Sequence, residues 1–474
     1  MKHSDRFWLK SFDSHQRGEQ DMSRAMTKKL WTPSPSPSRV GLPLGRRSFL
    51  KGAAGAAGLA VGGSLLAACG DDADTEASGG AFELGSASGD LTIGSNYSDA
   101  LPQAGLAAAA AAIPNGDINP LINEVDHNTF QENITTYLQN PDDVIPWFAG
   151  FRMRFFAEQG LLGDITDVWD AGLDDSLGEG FKTASTGDDG RQYFVPWTYY
   201  IWGVYYRPSV FEENGYTVPT NQDELLGLAE AMQGDGLVPF AFANDGFWPA
   251  MGTFDQINFR LNGYQFHIDL MAGKESWTDE RVRNTFQTYA DLLPIHQENP
   301  NGRTWQEAAA AVVNGEAGMM TIGTFIGSQF PDGDTSDLDF FTFPELNAEF
   351  GTETVEAPID GWLMAADPAN PNAAKEMLYH FGTADAQSAY LAEDPSVVAP
   401  STGVDTSLYS PLQQKVLEAV AAAPTVTQFL DRDTSPEFAS NVAGPRIADF
   451  LADPSKLDTI LEDMQAQADV ILGS

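Results

Sequence analysis

From Leu91 onward, short apolar runs alternate with amphipathic helical stretches, and this alternation limits the chain to an α/β architecture with ligands at strand ends. Leu91-Thr92-Ile93-Gly94 reads as a strand giving way to the polar loop Asn96-Tyr97-Ser98-Asp99. Phe130, Ile134, Tyr137 and Leu138 recur at i, i+4, i+7 and i+8, which predicts a helix ended near Asn140-Pro141. Asp143 to Phe148 then reads as a buried strand with Trp147 towards its end. The dense aromatic stretch Trp197 to Tyr206 has strand character. One helix is predicted to start with the Pro219-Thr220 pair and Leu225-Leu226-Leu228-Ala229 and to end near Gly234, and others over Asp279 to Leu293 and over Trp305 to Val313. The last is closed by Asn314-Gly315 before a strand at Gly318 to Ile322. Leu457, Ile460, Leu461, Met464, Ala468 and Ile471 share one helical face near the end. A chain of 474 residues with ten tryptophans has material for two domains or a few.

Ahead of this body, residues 45–69 read GRRSFLKGAAGAAGLAVGGSLLAAC. The apolar part, Ala53 to Ala68, is rich in glycine and shorter than the ~20 residues a membrane span needs, so it reads as a cleavable signal. Arg46-Arg47-Ser48-Phe49-Leu50-Lys51 resembles the twin-arginine export motif, and Leu66-Ala67-Ala68-Cys69 resembles the lipobox of bacterial lipoproteins. The two together imply export after folding and acylation of Cys69, which fixes the protein to the outer face of the cell membrane. Residues 1–68 are therefore expected to be a leader, with either Met1 or Met26 as the start. Residues 69–87, opening GDDADTEASGG after the cysteine, are expected to be a flexible tether.

Charge excludes one class of partner. Beyond residue 68, fifteen Lys and Arg face sixty-three Asp and Glu, a net charge of -48, and a nucleic-acid partner would need a basic footprint that is absent. The acids read as a solvated surface. A single cysteine precludes an internal disulfide or thiolate cluster, and the six histidines show no metal-ligand spacing, so neither metal nor cofactor is expected. The run Asp332 to Asp339 has oxygen-ligand character for calcium but lacks EF-hand spacing, and a solvated loop is the preferred reading.

The order of segments resembles the family 1 extracellular solute-binding proteins of ABC importers, the group that includes the maltose-binding type. Asn140 to Trp147 followed by Gly160-Leu-Leu-Gly-Asp-Ile-Thr166 is similar to one family passage. Asp189-Gly-Arg-Gln-Tyr193-Phe-Val-Pro196 with Val204-Tyr-Tyr-Arg-Pro-Ser-Val-Phe211 is similar to a second, with Arg207 and Pro208 where Asn and Lys are usual. Val218 to Leu225, Val313 to Met319 and Asp360-Gly361-Trp362-Leu-Met-Ala365 continue the match over roughly residues 88–472. The resemblance implies a two-lobed periplasmic-binding-protein-like fold with crossing hinge strands, a ligand cleft between the lobes and hinge closure. The lobes are expected at 88–197 with 357–402 and at 198–356 with 403–474.

A sugar offers C–H faces and hydroxyl edges, so its site pairs aromatic platforms with charged forks. The resemblance puts a ligand-contacting aromatic at Trp147, with core packing as the alternative; Gly150 and Phe151 stand where the maltose type carries Asp and Arg. Among the aromatics after Pro196, strand alternation favours Tyr199 and Trp202 for the cleft. Trp248, on the loop Asn244-Asp245-Gly-Phe-Trp248, is better explained by stacking than by packing. Asp360 and Trp362 flank a glycine at the second crossover, and a carboxylate in that apolar context needs a partner. Arg432 lies over the cleft or pairs with Asp431 or Asp433. Tyr97 and Asp99 are further candidates, followed by Asp126.

The function expected is therefore a monomeric, lipid-anchored receptor that captures a sugar or oligosaccharide for the permease subunits of an ABC importer. No catalytic motif of the G-x-S-x-G, H-E-x-x-H or P-loop kind is present, so no enzyme is expected. The alternatives are a receptor for a non-sugar ligand such as a polyamine, and a secreted glycoside hydrolase working through two carboxylates.

Overall fold

The computed structural model describes residues 82–473. Cys69, Arg46 and Arg47, with the leader and most of the tether, lie outside these residues.

Eleven strands, β1 to β11, form two sheets. The first has the order β2-β1-β3-β10-β4 and is built from β1 (Gly89–Ser95), β2 (Ile118–Glu124), β3 (Val144–Phe148), β4 (Phe194–Tyr199) and β10 (Ile359–Met364). The second has the order β11-β9-β5-β7-β6, with β8 paired to β5. Its strands are β5 (Trp202–Tyr206), β6 (Val238–Ala241), β7 (Ala317–Gly323), β8 (Asp339–Phe341), β9 (Thr354–Glu356) and β11 (Thr425–Thr427). Helices follow the strands as the alternation requires, among them His127–Tyr137, Glu280–Leu292 and Trp305–Val313.

The prolines fit the topology. Pro120 and Pro196 sit in the edge strands β2 and β4, where a missing N–H costs no central ladder bond. Pro146 lies inside β3, but β1 pairs with β3 only at Ile93 and Val144, so β3 is unpaired on that side at the proline. Buried Asp143 ties the first sheet to its covering layer. Its carboxylate accepts from the Thr92 N–H at 3.0 Å, the Thr92 hydroxyl at 2.9 Å and the Asn370 N–H at 3.1 Å.

The chain passes from the first sheet to the second through Tyr200-Ile201 and returns through Ala357-Pro358. These crossings run side by side, because Trp202 pairs with Glu356 at one end and Tyr199 with Ile359 at the other. A third passage follows the Tyr199–Val398 bridge and leads to β11. The two lobes are thus joined by a narrow set of adjacent segments, the arrangement from which hinge closure follows. The last residues of the expected tether are held to the first lobe. The Gly85 and Ala87 N–H groups donate to the buried Glu376 carboxylate, and Phe82 packs against the core.

Among the described residues no helix is long and apolar enough to cross a membrane. Carboxylates of the Asp332 to Asp339 run are engaged by protein partners. Asp337 accepts from Arg207 at 2.8 Å and from Ser209, Asp339 pairs with Lys415 at 2.6 Å, and Asp334 caps Ser336. Arg207, the family departure noted above, also donates to the Val313 carbonyl and so braces this loop.

Candidate functional site: the cleft between the lobes

Between the sheets lies a cavity whose empty space, open mouth included, is about 890 Å³. One wall is aromatic. Phe325, just after β7, is its hub, with ring centroids 5.1 Å from Tyr200, 6.1 Å from Trp202, 6.0 Å from Trp248 and 5.1 Å from Trp305. Trp248 opens the long helix Trp248–Met271, and Trp305 opens the helix Trp305–Val313, so both indoles stand at helix starts that face the first lobe.

The floor is charged. Arg432, only 6% exposed, donates to the Tyr200 hydroxyl at 2.9 Å, pairs with Asp360 at 2.9 Å and lies 4.0 Å over the Phe148 ring. Arg152 stands behind it and donates to Asp431 and to Gln131, each at 2.9 Å. Gln131 in turn contacts the His127 ring. Burial opposes the charge on Arg432, but Tyr200, Asp360 and Asp431 outweigh it and hold the guanidinium protonated. Burial lifts the Asp360 carboxyl above its ordinary range, and Arg432 pulls it back. His127 is pushed down to about 4, first by burial and then by Arg432, and is therefore neutral at pH 7.

Asp360, Asp431 and Arg432 all line the cavity, so a guanidinium and two carboxylates stand together on its floor. Charged forks beside an aromatic wall suit a ligand with closely spaced hydroxyls.

Of the residues expected from sequence, the structure brings Tyr97, Trp202, Trp248, Asp360 and Arg432 to this cavity, with Asp99. Both readings of Arg432 hold at once, since it lines the cavity and pairs internally, with Asp431 at 3.9 Å, as expected, and more closely with Asp360. Three expectations are corrected. Trp147 is 1% exposed and packs among Phe130, Phe148 and Phe156, with Arg152 lying 4.8 Å over its ring. All five residues of β3 are buried, so a strand-end position carries no information about facing the cleft. Tyr199 packs on Phe181 instead, and Tyr200 takes the cavity position, because the crossing Tyr200-Ile201 interrupts the alternation between β4 and β5. Trp362 packs between Trp197 and Phe381. It would share a face with Asp360 in a regular strand, but the register shifts between Asp360 and Gly361. A Cβ on Gly361 would run into the Val195 carbonyl, so glycine permits the bulge that turns Asp360 to the cavity. Asp126 caps the helix His127–Tyr137 through the Thr129 N–H and lies outside the cavity lining.

Sequence reading missed Asn96, His127, Tyr200, Trp305 and Tyr390 in the lining. One signal was available for Trp305. It follows the capping pattern Thr304-x-x-Glu307, which fixes a helix start and so sets the tryptophan at the end of the element.

The comparisons with known proteins agree with this geometry. The model of bacterial extracellular solute-binding proteins matches residues 94–388. The chain belongs to this family. An ABC transporter extracellular-binding protein of Pyrococcus horikoshii is 24% identical to this solute-binding protein over 334 residues, 70% of this chain and 71% of the relative. The alpha-glucosides-binding periplasmic protein AglE of Rhizobium meliloti is 24% identical over 69% of this chain and 75% of its own length. The solved bacterial solute receptor AcbH is similar at 40% identity and a TM-score of 0.78, covering 81% of this chain and 99% of that one. An exclusive preference for β-D-galactopyranose is reported for AcbH.

Proposed function

We propose that this solute-binding protein captures a monosaccharide of the galactopyranose type and hands it to the permease of an ABC importer. The reading is carried by Arg432, Asp360 and Asp431 opposite the aromatic wall of Trp202, Trp248, Trp305 and Phe325. Vicinal hydroxyls are acceptor and donor at once and pair with a guanidinium and a carboxylate side by side, while the C–H face of a pyranose stacks on indole. The likeness to AcbH over nearly all of that receptor supports galactopyranose over longer saccharides.

In this reading Tyr97, Trp202, Trp248, Asp360 and Arg432 are ligand contacts, and the protein retains its ligand without turnover. The lobes comprise 88–197 with 357–402 and 198–356 with 403–474, a division the sheet membership of the strands supports except that β4 extends the first lobe to Tyr199. Acylated Cys69 holds the receptor as a monomer at the outer face of the membrane, near its permease partner.

Titration calorimetry with galactose, glucose, maltose, raffinose and spermidine tests the ligand. Stoichiometric binding of galactose with weaker or absent binding of the others is expected. Binding of spermidine without any saccharide would overturn the sugar reading, and release of reducing ends from an oligosaccharide would overturn the receptor reading.

A further inference from the structure

Asn128, at the start of the helix His127–Tyr137 in the first lobe, reaches across the cleft into the loop Asn244–Trp248 of the second. Its Nδ2 donates to Asp245 at 3.0 Å, and its Oδ1 accepts from Trp248 Nε1 at 3.2 Å. The loop is shaped to receive it. Gly246 has φ +76°, and a Cβ there would stand 2.5 Å from Asn128 Oδ1, so a side chain at 246 would occupy the seat. Phe247 is held at φ +68°, a left-handed conformation that a bulky residue adopts only at a cost, and this turn delivers Trp248 as the first residue of its helix. The indole N–H of a wall residue in the second lobe is thus satisfied by a side chain of the first. A second contact between the lobes, Asp99 with Gln306 at 3.3 Å and Gln329 at 3.1 Å, borders the same cavity and leaves Trp248 untouched.

We propose that Asn128 is a positioning residue for ligand binding: by docking into the Asp245-Gly246-Trp248 seat when the lobes meet, it locks the Trp248 indole over the ligand and slows release. The proposal rests on the sugar reading for its ligand but on the seat alone for its geometry. Trp248 becomes a complete platform only in the closed form, so Asn128 couples closure to stacking.

The decisive measurement is the dissociation rate of galactose. Asn128→Ala removes two hydrogen bonds of ordinary strength and is expected to speed release about tenfold while leaving association little changed. Asn128→Asp sets a carboxylate against Asp245 and is expected to weaken binding further. Adding Asp245→Asn to that variant restores a donor opposite the new carboxylate and returns the rate to within about threefold of wild type. Unchanged release in Asn128→Ala, or no rescue in the double variant, would overturn the proposal. A purely structural role would lower the melting temperature of the ligand-free protein without such a rescue. Full chain carrying Cys69→Ser, Asn128→Cys and Asp245→Cys, treated with a short bis-maleimide both with and without galactose, tests the seat independently. An intramolecular cross-link is expected, and its absence would overturn the seat. A cross-link in a protein that binds no saccharide would leave the seat standing and remove the sugar assignment.

Discussion

Arg432 is the residue on which the site turns, since it touches Asp360, Tyr200 and Phe148 while almost wholly buried. Removing one partner of a buried ion pair leaves the other charge uncompensated, at a cost of about 3–5 kcal/mol. Arg432→Ala is therefore expected to lower the unfolding free energy by that order and to abolish measurable sugar binding. Arg432→Lys keeps the charge but not the fork, and calorimetry and denaturant unfolding should place it between Ala and wild type. Asp433, nearby and buried, makes a prediction of opposite sign. Burial lifts its carboxyl to about 6, although Thr427 and Gln428 donate to it. Between about pH 4 and 6 the unfolded chain releases this proton while the folded chain keeps it, so stability falls as pH rises through the window. The loss is complete above it, on the order of 3 kcal/mol. Asp433→Asn still accepts both bonds and has nothing to titrate. Its stability relative to wild type, measured by urea unfolding from pH 4 to 7, should rise to about pH 6 and then level off.

At the scale of elements, the helix Trp305–Val313 carries Trp305 and Gln306 into the cavity from its first turn, and a reciprocal capping box fixes that turn. The Thr304 side chain accepts from the Glu307 N–H at 3.2 Å, and the Glu307 carboxylate accepts from the Thr304 N–H at 2.9 Å. Thr304→Ala is expected to cost about 1 kcal/mol of stability and to weaken sugar binding a few-fold, because the frayed turn no longer holds the indole. A variant with the stability loss and unchanged affinity would show that Trp305 is held by Phe325 alone. Helix starts of this kind were legible in the sequence, as were strands such as β1, β3 and β7, because caps and periodicity are local. What escaped was facing. Trp147, Tyr199 and Trp362 lie in strands buried on both sides, broken by a crossing or shifted by a bulge, and each of these depends on partners far along the chain. Asp360 was legible for a different reason. A carboxylate in an apolar strand demands a partner wherever the strand lies, and that demand held when alternation failed.

The whole molecule is governed by its charge and its proposed anchor. Replacing Cys69 by Ala should release the protein from membranes, or leave its signal uncleaved, with galactose affinity of the purified protein unchanged; fractionation and calorimetry check the two halves separately. The acidic surface makes a prediction that does not depend on the ligand. Of the described residues only five are lysines, and each lies within 3.3 Å of a carboxylate: Lys182, Lys274, Lys375, Lys415 and Lys456. With every lysine paired, the remaining acids face one another across water, and their mutual repulsion favours the expanded chain. Salt acts on two terms here. It weakens exposed ion pairs worth roughly 0–1 kcal/mol each, and it screens the long-range repulsion among the far larger number of unpaired acids as the Debye length falls from ~30 Å at 0.01 M to ~3 Å at 1 M. The second term is the larger because the acids exceed the bases about fourfold beyond residue 68. The melting temperature of the ligand-free protein should therefore climb steeply with sodium chloride between 0.01 and 0.5 M and flatten above, and potassium chloride should act alike. A melting temperature that falls with salt would mean that the paired lysines, and not the unpaired acids, dominate the electrostatics of the fold.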